Sequence, residues 1–321
     1  MSEHTEDTDV PIDRRTILKT AGMATALSMG TGAVTASSHD GSSNGSDGAI
    51  DPLFGLPSGG PNPCGGDAST DCFAEFRPPI RPASEVEMHI DLPELAVAAV
   101  TQGHLSDVTT ESINDEVADG SVDPSNLHNP NARLSIPLPS GETASATVEE
   151  LARMVAGAGG FHFEPAGFVV EPGDVVLFSA ESPDHAVAAY HERHGRQNRV
   201  PDGVGPIASP QIPVGGYWLY RFETPGVYHC YCPPHQFFGM VFCVVVYDGS
   251  GPVPEPSIEQ TGRPPVAENF FPDVLGGLDP NLPSSMEALQ TDALVPEHIV
   301  ENGPIPWDEV VAAHRSSGGG E

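Results

Sequence analysis

The chain has 321 residues, and 45 acidic side chains stand against 13 basic ones for a formal net charge of -32. Lys19 is the only lysine, so the clustered cations needed to hold nucleic-acid phosphates or an anionic membrane surface are lacking. A hydrophobic content of 38%, much of it in dense runs, argues against a disordered acidic chain and for a folded protein adapted to high salt, of halophilic source.

The N-terminus reads as an address. Asp13-Arg14-Arg15-Thr16-Ile17-Leu18-Lys19 precedes a weakly apolar run of small residues from Thr20 to Ala36. Residues 1–36 therefore resemble a twin-arginine export signal. A membrane anchor is the competing reading, but the run is short and interrupted by Thr and Ser. Cys64 is the first cysteine, too far along for a lipid-modified one just after cleavage. The mature protein is expected to be soluble, outside the cytoplasmic membrane, with no membrane span.

Residues 37–66 are Gly, Ser, Asp and Pro with few apolar side chains and read as a disordered linker. Residues 67–159 form an extension of unknown role, with one strand near Glu85–Leu95. Within it Val148–Ala156 has helical spacing, with Thr147 as N-cap and Gly157 near the stop. From Gly160 the pattern changes. Phe161–Glu164, Gly167–Val170, Asp174–Phe178, Tyr217–Phe222, Val227–Cys232 and Met240–Tyr247 are short β-rich runs separated by Pro-Gly turns. Such spacing predicts an all-β fold, an antiparallel sandwich or barrel over residues 160–249. The Pro-rich tail, 250–321, is expected to carry short helices near Met286–Leu294 and Trp307–His314.

The densest chemistry lies between the last two strands. Cys232, His235 and Met240 bring a thiolate, an imidazole and a thioether into nine residues around one turn. His185 follows the strand Asp174–Phe178 in a loop opened by Glu181-Ser182-Pro183. One thiolate, two imidazoles and a weak thioether make the donor set of a copper electron-transfer site, since soft donors favour Cu(I) and imidazoles suit Cu(II). Zinc is the competing metal, but structural zinc seldom uses methionine. Cys230 is an alternative thiolate, because Cys230-x4-His235-x4-Met240 is also a usable spacing. His191 and His194 compete with His185 upstream.

Cys232-x-x-His235-x-x-x-x-Met240, with Pro234 before the histidine and Gly239 before the methionine, resembles the plastocyanin and pseudoazurin (halocyanin-like) type 1 blue copper proteins, the cupredoxins. Gly173-Asp174-Val175 and Val200-Pro201-Asp202-Gly203 carry the same likeness, which covers roughly Phe161 to Tyr247. The resemblance implies a cupredoxin Greek-key β-sandwich holding one type 1 copper through His185, Cys232, His235 and Met240. It also favours Cys232 over Cys230, because the family cysteine lies six residues after the glycine matched by Gly226 and opens Cys-x-Pro-His. Ala186 departs from the family asparagine that follows the first histidine. The implied work is single-electron transfer, not enzymatic catalysis. His235 is expected to be the exposed ligand, with redox partners docking transiently near His235, Phe237 and Phe238 over a patch made by Pro233, Pro234, Phe237 and Phe238.

Two other readings are carried alongside. One is a copper-sequestering protein without an electron partner. The other is a copper oxidoreductase, related to nitrite reductases or multicopper oxidases, in which His229 beside Cys230 would bind a second copper. Against the latter stands the lack of any His-x-His pair in the chain. Apart from Cys232, Cys64, Cys72, Cys230 and Cys243 leave an even number, so disulfides are expected in an exported chain. Cys64 with Cys72 would close a short loop. Cys230 with Cys243 would join adjacent strands, although strand parity opposes that pair.

Overall fold

In a computed structural model, the structure describes residues 50–65, 70–91, 133–137, 143–147, 160–274 and 281–318. The export signal and the Val148–Ala156 helix expected from the sequence lie outside them. Eleven strands are formed among the described residues: β1 (Leu56–Pro61), β2 (Ser84–Asp91), β3 (Arg133–Pro137), β4 (Thr143–Thr147), β5 (Gly160–Glu164), β6 (Gly167–Val170), β7 (Asp174–Ala180), β8 (Ala188–Ala189), β9 (Gly216–Phe222), β10 (Gly226–Tyr231) and β11 (Val241–Val246). Five short helices accompany them: α1 (Thr70–Phe73), α2 (Phe271–Val274), α3 (Ser285–Ala288), α4 (Pro296–Asn302) and α5 (Trp307–Gly318). None is long and apolar enough to cross a membrane.

The strands make a β-sandwich of the cupredoxin kind. One sheet runs β1-β9-β7-β2-β5 and the other β6-β11-β10-β8, while β3 and β4 pair as a separate hairpin. Successive strands fall in different sheets, β5 to β6 and β6 to β7 for example, so the chain crosses between layers as a Greek-key sandwich requires. Period-2 alternation sends Val86, Met88, Phe163, Val176, Phe178, Trp218, Tyr220 and Phe222 inward from the first sheet. Phe168, Val170, Tyr228, Cys230, Phe242, Val244 and Val246 face them from the second. Phe242 sits at the middle, its ring 4.5 Å from Phe163 and 5.5 Å from Phe178.

The unbroken apolar run of β11 has a direct consequence. A strand with one wet face alternates, so six buried residues in succession require both faces to be covered. The second cover is the C-terminal tail. Val241, Cys243 and Val245 pack outward against Phe271, Leu282, Leu289, Leu294, Ile299, Ile305, Trp307 and Val310. A smaller cluster of Cys64, Phe76, Val175, Leu177 and Leu219 closes the outside of the first sheet.

Two sequence expectations need correction. The proposed linker, residues 37–66, is not disordered over its described part. Leu56–Pro61 is strand β1, pairing with β9 through Leu56 opposite Leu219 and Pro57 opposite Trp218. A Pro- and Gly-rich segment can serve there because β1 is an edge strand, where missing N–H donors are tolerated. Nor does the copper domain begin at residue 160. Strand β2, from the supposed extension, is inserted between β7 and β5, pairing in parallel with the first and antiparallel with the second. Its Glu-rich outer face, Glu85 and Glu87, masks the inward Val86 and Met88.

Of the two pairings of neighbouring cysteines, Cys64–Cys72 is formed, tying the end of β1 to α1. Cys230 and Cys243 are free and buried. Cys230 stands opposite Phe242, and Cys243 opposite His229, so their side chains leave the sheet on opposite faces, as strand parity required.

The tail is therefore structural. Ile299 of α4 is fully buried against the outer face of the second sheet, whereas Val295 just before the helix is 40% exposed. Ile299→Ala should cost about 2–5 kcal/mol through the cavity it leaves, and Val295→Ala about 0.5 kcal/mol or less. Chemical denaturation of the two variants in parallel checks this; equal midpoints would mean that the tail adds nothing to the core.

Candidate metal centre

Two loops at one end of the sandwich meet. The first leaves β7 at Ala180 and turns through Asp184, whose positive φ of 65° makes the sharp bend that aims His185 back toward the sandwich. A backbone bridge to Ile212, with the Ile212 N–H donating to the His185 carbonyl at 2.8 Å, fixes this loop from outside. Ser182 Oγ lies 2.7 Å from His185 Nε2. When the imidazole proton sits on Nε2 and is donated to Ser182, the lone pair of Nδ1 is left facing the interior.

The second loop joins β10 to β11. The N–H groups of His235 and Gln236 both donate to the Cys232 carbonyl, at 3.0 and 2.8 Å, and a 3-10 turn follows over Gln236–Phe238. The loop closes where the Cys232 N–H donates to the Met240 carbonyl at 3.1 Å. Gly239 is required by two constraints at once: its φ is +87°, and a side chain there would collide with the Pro283 carbonyl of the tail.

Three predicted ligands converge. Cys232 Sγ lies 3.8 Å from His185 Nδ1 and 3.5 Å from His235 Nδ1, and the two nitrogens are 3.3 Å apart. A point equidistant from these atoms is about 2 Å from each, within the range of transition-metal bonds to imidazole and thiolate. Among the described residues this is the one group of three or more His, Cys, Asp or Glu donors so arranged. Met240 is fully buried in the inner core at the end of the same loop. Cys230 lies one turn of the pleat back, between the sheets, and is not part of the group.

Burial sets the proton chemistry. Desolvation, with the neighbouring histidine adding to it, lowers His185 to about 2, and desolvation lowers His235 to about 4. Both imidazoles are thus neutral donors at pH 7. Burial pushes the Cys232 thiol up to about 12, with the backbone N–H groups of Ala186 and His235 acting in the opposite direction. A thiolate here needs a cation beside it, and a bound metal supplies one. The Ala186 N–H belongs to the backbone, which is how a residue without a polar side chain still serves the sulfur.

The other histidines are engaged elsewhere. His191 Nδ1 accepts the Arg193 N–H at 3.0 Å and its Nε2 bonds the Val204 carbonyl at 3.1 Å. His194 Nδ1 is 3.1 Å from the Ala189 carbonyl. His229 faces away from the triangle and accepts from Arg199 at 3.1 Å, with burial first and Arg199 second lowering it to about 3.

The expectation of an exposed His235 is corrected: only 8% of it is accessible. Phe161 stacks on its ring at 4.2 Å, and Phe238 stacks on Phe161 at 4.8 Å, half-buried against the tail. Pro234 and Phe237 are the exposed members of the expected patch, Phe237 at 42%. The tail also holds the loop by hydrogen bonds that sequence inspection missed. Ser285 Oγ donates to the Gln236 carbonyl at 2.6 Å, and the Phe270 N–H to the Phe237 carbonyl at 2.9 Å. No local signal near residue 285 points to a partner 49 residues away.

Residues 150–247 match the family described as copper binding proteins, plastocyanin/azurin family. Pseudoazurin of Methylorubrum extorquens AM1 is 30% identical over 118 residues, covering 36% of this chain and 74% of that protein. Pseudoazurin of Paracoccus pantotrophus is 34% identical over 91 residues, covering 28% of this chain and 57% of that protein. The 1.5 Å crystal structure of pseudoazurin from Methylobacterium extorquens AM1 shares 31% identity, with a TM-score of 0.24, over 28% of this chain and 65% of that one. The chain thus spans about two thirds of that solved relative. The fold and the donor set are those of a cupredoxin. The chain belongs to the plastocyanin/azurin family of copper-binding proteins, and its cofactor is one type 1 copper.

Ser285→Ala should leave the Gln236 carbonyl with only the Gly239 N–H, at 3.2 Å, and lower stability by about 0.5–1.5 kcal/mol, with Ser285→Thr retaining part of the difference. Urea denaturation of the metal-free protein measures both; indistinguishable midpoints would show that the bond does not hold the loop.

Proposed function

We propose that the protein is an exported electron carrier whose single copper would be held by His185, Cys232 and His235, with Met240 as a weak fourth donor. The observation that supports this most directly is the triangle of two imidazole nitrogens and one sulfur, buried at the meeting of two loops that are each tied down by backbone hydrogen bonds. Copper in such a set supplies a one-electron couple. The protein's part is to keep the ligand positions fixed whichever oxidation state is present: Ser182 holds the His185 ring, the Cys232–Met240 pairing fixes the loop ends, and the core excludes water. A site that does not rearrange exchanges electrons with little reorganisation. The engagement of His229 with Arg199 speaks against a second copper beside Cys230, and so for a carrier over an oxidoreductase.

The remaining features fit the same role. The twin-arginine signal would export the chain already folded, releasing a soluble protein beyond the cytoplasmic membrane, and the acidic surface suits a salty exterior. Redox partners would dock transiently over Pro234 and Phe237, where the ligand loop reaches solvent.

The copper-loaded protein should show an intense band near about 600 nm with about one copper per chain. Cys232→Ser should abolish the band and Cys230→Ser should keep it; the reverse pattern would move the thiolate to Cys230, and two or more coppers would favour the oxidoreductase. Adaptation to salt is checked separately, by a melting temperature that rises from dilute buffer to molar KCl. An unchanged melting temperature would remove the halophilic reading.

A further inference from the structure

The distribution of arginine marks a second surface. Four of the 13 basic residues, Arg193, Arg196, Arg199 and Arg263, gather beside β8 and β10. Segments 195–198 and 259–263 run side by side, the Gln197 N–H donating to the Arg263 carbonyl at 2.7 Å and the Arg263 N–H to the Gly195 carbonyl at 3.0 Å. Gly262 permits this approach, since a Cβ there would strike the Arg196 backbone. The Arg196 guanidinium lies over the ring of Tyr231, 5.5 Å from its centroid, and Tyr231 immediately precedes Cys232. Arg199 is buried beneath, donating only to neutral partners, Gln197 at 2.9 Å and His229 at 3.1 Å.

Among the described residues, none of the four is paired with a carboxylate. The carboxylates on these segments, Glu192 and Glu259, are exposed and leave the arginines unpaired. Ile258 stands beside them, 44% exposed. An apolar centre with a charged rim is the make-up of a transient protein interface. A net charge of -32 over the whole chain repels an acidic partner, so a face bearing unpaired arginines meets such a partner with less repulsion and some attraction.

We propose that the face presented by segments 193–199 and 258–263, which carries Arg193, Arg196 and Arg263 and the exposed Ile258, is a docking surface for an acidic redox protein. It lies on the flank of the sandwich, apart from the Pro234–Phe237 end. The nature of the partner rests on the electron-carrier reading; the binding face does not.

The test uses nitrogen-labelled full-length protein in its diamagnetic copper(I) or copper-free form, titrated at low salt with poly-L-glutamate as an acidic macromolecular surface. Amide signals of residues 193–199 and 258–263 should shift. The double variant Arg193→Gln/Arg263→Gln, altering two exposed side chains, should bind about fivefold more weakly. Absence of shifts in these segments, or equal affinity of the double variant, overturns the proposal. Hexacyanochromate(III), a paramagnetic trianion, provides the second arm. Broadening at these amides without a polyglutamate response would make the face a small-anion site and likewise overturn docking. The visible spectrum of the copper-loaded sample is read separately, so a failed copper assignment is told apart from a failed docking face.

Discussion

The antiparallel pairing of β10 with β11 is the constraint on which the rest depends. Its register, Gly226 opposite Val246 through Tyr231 opposite Val241, brings the chain to Cys232 and Met240 at the same level, and the hydrogen bond between them closes the ladder. Nine residues must then leave and return across one strand spacing, which compresses Cys232–Met240 into a turn so tight that His235 folds back over the sulfur. The spacing of thiolate, imidazole and thioether in sequence is thus a consequence of sheet geometry. A one-residue slip would send Cys232 to the outer face and dismantle the triangle.

That pairing is itself stabilised from both sides. The inner face joins the aromatic centre around Phe242, and the outer face is sealed by helices from the tail. A copper loop attached to a half-solvated hairpin could breathe; here its supporting strands have no wet face. Ser285 and Phe270 extend the seal to the loop itself. The metal centre of this chain is therefore shared between the family's sandwich and a C-terminal addition that lies beyond the residues matching the family.

Much of this was legible in the sequence, for identifiable reasons. The six strands from Phe161 to Tyr247 announce themselves because each has period-2 or continuous apolar character bounded by Pro-Gly turns. The donor set is legible because its chemistry is local, three donors in nine residues, and only His185 had to be placed by its position after a strand. Strand β1 was hidden because Leu56-Pro57-Ser58-Gly59-Gly60-Pro61 has the composition of a linker; its strand character comes from β9 alone. The burial of His235 was hidden for a similar reason. It depends on Phe161, 74 positions earlier, and on a tail 30 to 50 positions later, and no local pattern encodes such meetings. The all-apolar run Val241–Val246 did imply that something covers its outer face without saying what.

In the proposed carrier, the burial of the candidate ligands would also bear on how electrons leave. With His235 8% exposed, the direct edge of the site is narrow, and a partner docking at the Pro234–Phe237 end, as proposed, would have to approach past Phe161 and Phe238. Along the strand the geometry is different. Tyr231 is joined to Cys232 by a single peptide bond, its ring packs at 4.4 Å on Tyr190, and Arg196 covers it from the solvent side. Cys232, a fully buried donor of the site, is thus covalently connected through Tyr231 to the arginine-bearing flank. In a chain so acidic, guanidinium groups left without carboxylates on that flank would, in the proposed docking, keep one approach to the sulfur electrostatically open, while the bulk of the surface would repel like-charged proteins.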